Sequence, residues 1–350
     1  MKKLFVIFAV IGMVGMFAAT TMAADWSFYG SARMATFWVT EDKKGDEEGD
    51  LAWSEQGNAR IGARVKVSDS LSGRFEYGVS GGVANQRLLY ADWNFGAGVM
   101  RVGQAYAPGN IFISNKVYGS DGNNLNFGGF YTGRQEEISF KFAKIFEIAL
   151  IKPETGLAGG VSDDVNDPLD DSGGIYVSPS DQLGDLNVDT QLPKIEAALV
   201  YGQENWWVQG SLGYQSVTIK DEVTIDNGPL AGTHTFDITA DSIVYAVGGM
   251  FDMAGFYVGA VAMGGTNVGA YGLWTETDNA PGVKSQTVNS TGGFDFKDTE
   301  DTTTIGFNVV LGYNINDMLK VEGGYGWIES DNDSFDKKDA AQSYYVNLPI

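Results

Sequence analysis

The chain has 350 residues, a formal net charge of −22 and no cysteine. The acidic balance argues against nucleic acid as a partner, because phosphate binding needs a basic surface. Without disulfides, stability must come from size, packing or a membrane. The only histidine, His234, lies in a loop-like stretch, so serine–histidine, cysteine–histidine and zinc chemistry lack their residues. We expect a protein that is not an enzyme and carries no cofactor.

The N-terminus has the three parts of a secretory signal peptide. Two lysines follow Met1, the run Leu4–Ala19 is apolar, and Thr21 and Ala23 are small residues at the cleavage positions. An uncleaved membrane anchor is the alternative. We expect residues 1–23 to be removed, which leaves one domain, 24–350.

The mature chain repeats segments of about ten residues in which apolar positions alternate with small or polar ones, a pattern typical of strands in membrane barrels. Trp26, Phe28 and Gly30 share one face of the first segment, with Ser27 and Tyr29 on the other. The segments predict about fourteen antiparallel strands, near 26–38, 58–67, 74–79, 87–95, 99–104, 137–142, 146–152, 194–202, 206–217, 236–250, 256–263, 303–314, 318–329 and 341–348.

One segment, Ser242–Gly265, is long enough to cross a bilayer as a helix. Asp252 lies at its middle and glycines recur through it, so we interpret it as a hairpin that turns at 251–255. The acidic stretches at 40–50, 162–174, 296–302 and 329–339 are interpreted as loops.

Two architectures fit the alternation. A soluble sandwich has strands of about five or six residues. Here the strands are longer, and short and long connections take turns, as in a closed transmembrane barrel. Such a sheet must close, because every backbone N–H and C=O in lipid needs a partner. The pattern therefore predicts an all-β, transmembrane antiparallel β-barrel.

Four stretches resemble the trimeric, sixteen-stranded general porins of Gram-negative bacteria: DWSFYGSARMATFW, NARIGARVKVSDSLSGRFEYGV, NQRLLYADWNFGAGVMRVGQAYAP and TGRQEEISFKF. The resemblance implies a homotrimeric passive diffusion channel for ions and small hydrophilic solutes, placed in the outer membrane among lipid and lipopolysaccharide. It also implies that the third external loop, here 104–134, folds inward as a constriction loop. Family members end on an aromatic residue, whereas this chain ends YYVNLPI. We therefore expect about 14 of a probable 16 strands and a C-terminal truncation, with a smaller barrel as the alternative.

All seven arginines lie within the first 134 residues of the chain, and the alternation places them off the apolar face. On the lipid face each would cost about 2–4 kcal/mol near the midplane. Snorkelling or structural ion pairing is the alternative to a pore role. We expect a cationic pore wall of Arg33, Arg60, Arg64, Lys66, Arg74, Arg87 and Arg101.

The constriction loop is expected to contribute Lys116, Asp121 and Arg134, followed by Glu136 and Glu137. The resemblance implies several acids on this loop opposite the arginines. Asp121 is the only carboxylate in the loop itself, so the field across the pore is expected to be weaker than the family implies. The wall favours anions, while the acidic external loops favour cations at the mouth.

A weak Ca²⁺ or Mg²⁺ candidate lies in DDVNDPLDDSGG, where oxygen ligands are dense. The carboxylates are Asp163, Asp164, Asp167, Asp170 and Asp171. The spacing does not fit an EF-hand, and a solvated acidic loop or divalent bridging to lipopolysaccharide are the alternatives. Two other functions stay open: a substrate-selective channel for phosphate, carboxylate or sugar, and a structural or adhesive surface protein without a pore.

Overall fold

The computed structural model describes residues 24–350 except 44–45, 81, 115–121, 123, 154–187, 191, 226–231, 278, 280, 289–293, 317–318, 333–337 and 349–350. The signal-peptide prediction for 1–23 lies outside the described residues, as do Lys116, Asp121 and the five aspartates between 163 and 171. No helix in the described ranges is long and apolar enough to cross a membrane.

All regular secondary structure of the described residues is strand. The strands are β1 (Asp25–Ser31), β2 (Met34–Lys43), β3 (Asp46–Glu55), β4 (Arg60–Lys66), β5 (Leu71–Ser80), β6 (Val83–Asn94), β7 (Gly98–Tyr106), β8 (Arg134–Phe142), β9 (Phe146–Ile151), β10 (Val188–Asp189), β11 (Lys194–Gln203), β12 (Trp206–Ile225), β13 (Gly232–Met253), β14 (Phe256–Thr266), β15 (Gly282–Val288), β16 (Phe294–Glu300), β17 (Thr302–Asn314), β18 (Lys320–Asn332) and β19 (Asp339–Asn347).

Fourteen strands pair in chain order into one antiparallel sheet, as the sequence predicts. The order is β1-β4-β5-β6-β7-β8-β9-β11-β12-β13-β14-β17-β18-β19. The short strands β10, β15 and β16 attach along one end of this sheet, and β2 pairs only with β3. Within the described residues β1 and β19 are its two edges and do not pair with each other.

Short and long connections lie at opposite ends of the sheet. The short ones are 67–70, 95–97, 143–145, 204–205, 254–255 and 315–319. At the other end the main sheet connects β1 to β4, β5 to β6, β7 to β8, β9 to β11, β12 to β13, β14 to β17 and β18 to β19, and most of these connections span more residues. Ala254 and Gly255 have φ of 53° and 87°, which suits the two-residue hairpin turn that joins β13 to β14. The predicted hairpin across Ser242–Gly265 is therefore confirmed.

The predicted first strand, 26–38, is wrong in its second half. β1 ends at Ser31, and residues 34–55 form the separate hairpin β2–β3, whose second strand contains part of a predicted acidic loop. β16 likewise includes acidic residues that were assigned to a loop. A strand outside the apolar band has water on both faces, so acidic side chains do not oppose it there.

Large apolar side chains cover one face of the main sheet and are exposed. They include Trp26, Phe28, Ile61, Leu150, Leu199, Leu212, Tyr245, Val247, Val258, Leu311 and Tyr344. The residues between them point the other way and are mostly buried, small or polar, as in β17, where exposed and buried positions alternate. An apolar band of this extent is unusual in a soluble monomer and suits contact with lipid.

Candidate functional site

The polar face of the sheet is continuous across its strands. Residues directly opposite each other in an antiparallel pair point to the same side. A row of residues that lie opposite each other on successive strands therefore points to one side of the sheet. It runs from Glu196 in β11 through Ala149, Ser139, Arg101 and Asp92 to Ser72 and Lys66. The carboxylate of Glu196 and the basic side chains of β4 and β7 therefore share this inner face.

The described residues of the segment 107–133 pack against the inner face, where Glu196 holds both ends of the segment. The buried Glu196 carboxylate accepts the Gly109 N–H at 2.6 Å and the Thr132 hydroxyl at 3.3 Å. The Tyr271 hydroxyl donates to the same carboxylate at 2.9 Å. We call these contacts the Glu196 anchor. Burying a carboxylate is costly unless it is paired or hydrogen-bonded, so the segment is well fixed here.

A second buried carboxylate holds the middle of the same segment. Glu322 in β18 accepts the Ser114 hydroxyl at 2.6 Å, and also the hydroxyls of Tyr257 at 2.6 Å and Tyr345 at 2.7 Å. The side-chain amide of Gln209 also donates hydrogen bonds to the carbonyls of Pro108 and Gly109, at 3.1 and 3.2 Å. The inward segment is thus tied to the β11–β19 side of the sheet.

A second segment, 267–281, also packs inside, which the sequence did not predict. The Lys194 amine donates to the Tyr271 carbonyl at 3.0 Å, and the Gln215 amide to the Ala270 carbonyl at 2.9 Å. The Trp274 N–H donates to the Tyr131 carbonyl at 3.0 Å, so the two inward segments bond to each other. Their shared core with the sheet comprises Ile111, Ile113, Phe130, Val244, Ala246, Val261, Met263, Val268, Tyr271, Leu273, Val310 and Ile328.

Two tyrosines of the inward segments have raised pKa values. Burial raises the pKa of Tyr271, and the neighbouring Glu196 carboxylate raises it further. Burial also raises the pKa of Tyr131, against the opposing effect of Arg134. Both phenols therefore stay protonated and remain hydrogen-bond donors at neutral pH.

The opposite side of the interior carries the predicted basic residues, arranged around one acid. Glu76 in β5 is 1% exposed, and its carboxylate lies 2.8 Å from Arg87, 3.0 Å from Arg74 and 3.5 Å from Arg60. The Tyr29 hydroxyl also donates to it, at 2.8 Å. We call these residues the Glu76 cluster; its formal charge is three positive and one negative, or +2.

A β-bulge in β6 brings Arg87 into this cluster. Glu76 is opposite Leu88, whereas the adjacent Tyr77 is opposite Gln86, so Arg87 is the extra residue. Bulges re-aim a side chain without ending the strand. Arg87 therefore reaches the Glu76 carboxylate although simple alternation from Tyr90 would point it outward.

Other basic residues of the predicted wall are paired or stacked. Arg101 makes a two-pronged ion pair with Asp92, at 2.7 and 2.9 Å, and lies 4.0 Å from the Tyr90 ring centre. Lys66 pairs with Asp69 at 2.7 Å. Arg64 is exposed and lies 5.1 Å over the Tyr29 ring. A cavity of about 520 Å³ opens beside these residues at the short-turn end.

The remaining predicted residues are dispersed. Arg33 lies in the link between β1 and β2. Arg134 donates to the Tyr106 hydroxyl at 3.3 Å. Glu136 is exposed and pairs with Lys152 at 3.2 Å, whereas Glu137 is buried and accepts the Ser139 hydroxyl at 3.1 Å. A pore role for each of them stays a prediction.

The residues that the sequence interpretation missed are the buried acids Glu76, Glu196 and Glu322. Glu76 lies two positions from Arg74, and the same alternation that assigned Arg74 to the inner face would have assigned it too. Glu196 and Glu322 also occupy inner positions of predicted strands. What they bind lies far away in sequence, so no local pattern identifies their partners.

Gly128 is expected to be intolerant of a side chain. Its φ is +85°, and a Cβ there would collide with the backbone of Phe307 and Trp327 in the wall. We expect Gly128→Ala to push the inward segment off β17 and β18 and to change the pore conductance. Single-channel recording would check this, with Gly133→Ala as a control for the φ effect, because a Cβ at Gly133 meets nothing within 4 Å.

The fold resembles outer-membrane proteins of known structure. The outer membrane channel DcaP of Acinetobacter baumannii aligns with a TM-score of 0.62 and 16% identity, over 94% of this chain and 92% of that chain. A loop-deletion mutant of OmpT, an outer membrane protein of Vibrio cholerae, gives 0.55 and 14%, over 93% and 88%. The trimer form of OmpT gives 0.52 and 15%, over 93% and 84%. No protein-family model and no curated protein matches the sequence.

The sequence analysis excluded an enzymatic role, and that exclusion is wrong. It was drawn from missing residue types, but the structures that resemble the chain include OmpT, described only as an outer membrane protein, beside a channel. One fold hosts unrelated functions, so a likeness of this kind neither assigns a reaction nor excludes one.

The likeness confirms the predicted fold class, an all-β protein of the transmembrane barrel type, and the structure adds an inward-folded loop. In the described residues the sheet is open between β1 and β19. The sixteen-stranded general porin family is a finer statement that stays a prediction. The chain has the fold of outer-membrane β-barrel proteins, among them the channel DcaP.

Proposed function

We propose that this protein is an outer-membrane porin that lets ions and small hydrophilic solutes diffuse passively through a water-filled pore. The observation that carries the proposal is that the inward segments bind to one side of the interior and leave the opposite, basic side uncovered. Hydrogen bonds from Gly109 to Glu196 and from Ser114 to Glu322 tie the inward segment 107–133 to the β11–β19 side. The basic side of β1 and β4–β7 keeps Arg64 exposed, with a cavity beside it. A charged, hydrated passage along that side is a route for solutes.

The same proposal places the chain in the outer membrane as a homotrimer, exported by its signal peptide and surrounded by lipid and lipopolysaccharide. The exposed apolar band supplies a surface for lipid or a neighbouring subunit. A trimer form is known for OmpT, which shares the fold. Stepwise conductance in planar bilayers tests the channel: correctly folded protein that gives no current steps would contradict it.

We expect the pore to prefer anions, because the Glu76 cluster carries net positive charge and two further arginines are uncompensated. In the described part of the chain no carboxylate lies within ion-pair distance of Arg64 or Arg134. Replacing both with glutamine is expected to shift the reversal potential in a salt gradient toward cations, since the wall loses two positive charges.

Lys220→Gln is the matched control for this change. Lys220 is exposed, pairs with Asp237 at 3.2 Å and lies in the extension of β12 away from the basic side. It removes a positive charge without touching the proposed path, so the reversal potential is expected to stay at the wild-type value. Equal shifts in the control and in the double variant would mean that Arg64 and Arg134 are outside the ion path.

A further inference from the structure

Four aromatic rings form a continuous row, of which Tyr106 ends β7 and the other three lie on the inward segments. The ring centres of Tyr106 and Phe112 are 5.6 Å apart, those of Phe112 and Tyr131 are 5.7 Å apart, and those of Tyr131 and Trp274 are 6.0 Å apart. Each pair meets edge to face, a favourable arrangement for aromatic side chains. We call these four residues the aromatic row.

Phe112 faces away from the wall because its neighbours are fixed to it. Ile111 and Ile113 are buried, and their atoms fill the space that a Cβ would occupy at Gly248 and Gly259 of the wall. Successive side chains of an extended segment point to opposite sides. Phe112 therefore points into the open interior, where it is 42% exposed.

The other two inward rings follow the same rule. Phe130 is fully buried and Tyr131 follows it; Leu273 is buried and Trp274, 44% exposed, follows it. Two backbone hydrogen bonds of 3.0 Å hold these stretches side by side. The Ile111 N–H donates to the Phe130 carbonyl within the segment 107–133, and the Trp274 N–H donates to the Tyr131 carbonyl between the two inward segments. The row is thus fixed by backbone pairing and is open to solutes.

The row has a positive end and a negative end. The Tyr106 hydroxyl accepts from Arg134 at 3.3 Å and from Arg87 at 3.5 Å. Arg87 is balanced by Glu76, whereas the Arg134 guanidinium has no carboxylate in ion-pair distance among the described residues. At the far end, Glu276 follows Trp274 and its carboxylate accepts the Asn126 amide.

We propose that the positive end of the aromatic row is a binding site for small aromatic carboxylates, an inference that rests on the proposed pore function and specifies its solute class. The solute ring lies against Phe112 and Tyr131, and its carboxylate meets Arg134. A neutral sugar would leave the Arg134 charge unused, and an aliphatic acid would leave the rings unused. A solute with an aromatic ring and a cationic ammonium group, such as benzylammonium, would be repelled by the guanidinium.

Benzoate block of single-channel current in planar bilayers tests this. We expect benzoate, added to potassium chloride, to interrupt the current in a concentration-dependent way, whereas acetate, benzyl alcohol and glucose at equal concentration do not. Phe112→Leu keeps an apolar side chain and removes the ring, so it is expected to weaken the block about two- to tenfold. Arg134→Gln is expected to weaken it about tenfold or more. Tyr201→Leu, on the exposed outer face, is the control and leaves the block unchanged.

The outcomes separate this proposal from the pore itself. Current steps without benzoate block, or block of equal strength by acetate or benzyl alcohol, would overturn the binding site and leave the pore standing. Absence of current steps would overturn the pore. Calorimetric titration of benzoate into the detergent-solubilised protein then decides the site on its own: binding weakened by Phe112→Leu and Arg134→Gln supports it, and no binding overturns it.

Discussion

Replacing Glu76 with glutamine is expected to lower the free energy of unfolding by about 2–4 kcal/mol, because removing one partner of a buried ion pair leaves the others uncompensated. The Glu76 carboxylate is 1% exposed and holds Arg60, Arg74 and Arg87 together. Glutamine fills the same volume but leaves three guanidinium groups without their shared anion. Denaturant unfolding of the protein in detergent or lipid, followed by tryptophan fluorescence, measures the change.

Glu136→Gln is the matched control for the Glu76 change. Glu136 lies at the start of β8, where its side chain is 64% exposed and pairs with the equally exposed Lys152. Surface pairs of this kind contribute little, so a change within about 0.5 kcal/mol is expected. If Glu76→Gln left the unfolding midpoint at the wild-type value, the three arginines would not depend on the carboxylate for their placement.

The alternation of the strands predicted the inner and outer faces from sequence. Ile61 and Phe28 are exposed on the outside, and Arg60 and Arg64 lie on the opposite face, as the period-two pattern requires. This succeeds because each strand side chain has only two directions available. Arg87 was also placed inside, but for a reason that the structure does not support: strict alternation from Tyr90 would point it outward, and the β6 bulge turns it inward.

The ion pairs of the wall were less predictable than its faces. Glu76 and Asp92 are on inner positions that the sequence pattern reaches, yet which arginine each one binds depends on strand register. The second inward segment, 267–281, was not predicted at all. It is held by Lys194, Gln215 and the other inward segment, contacts that join distant parts of the chain. No periodic signal marks a loop that folds inward, because its anchors are single polar residues on other strands.

Replacing Glu196 with alanine is expected to loosen the inward segment 107–133 and to raise the single-channel conductance. The change leaves the buried Gly109 N–H without its acceptor, whereas the Tyr271 hydroxyl keeps the Ile195 carbonyl at 3.3 Å as an acceptor. An unsatisfied buried donor costs about 1–3 kcal/mol, so the unfolding free energy should fall by at least that much. With both ends of the segment released from Glu196, the constriction it forms has more freedom to widen, and recordings should show larger or noisier current steps.

Two variants separate the Glu196 anchor from general loss of stability. Tyr271→Phe removes one hydrogen bond to Glu196 and keeps the ring in the core, so a smaller rise in conductance is expected. Glu204→Ala removes an exposed acid in the β11–β12 turn and is expected to leave both conductance and stability unchanged. In the Glu196 variant the Ser114 hydroxyl would still donate to Glu322, so the inward segment should remain attached at its middle. A Glu196→Ala channel that is less stable but conducts like the wild type would mean that this buried carboxylate supports the sheet and not the constriction.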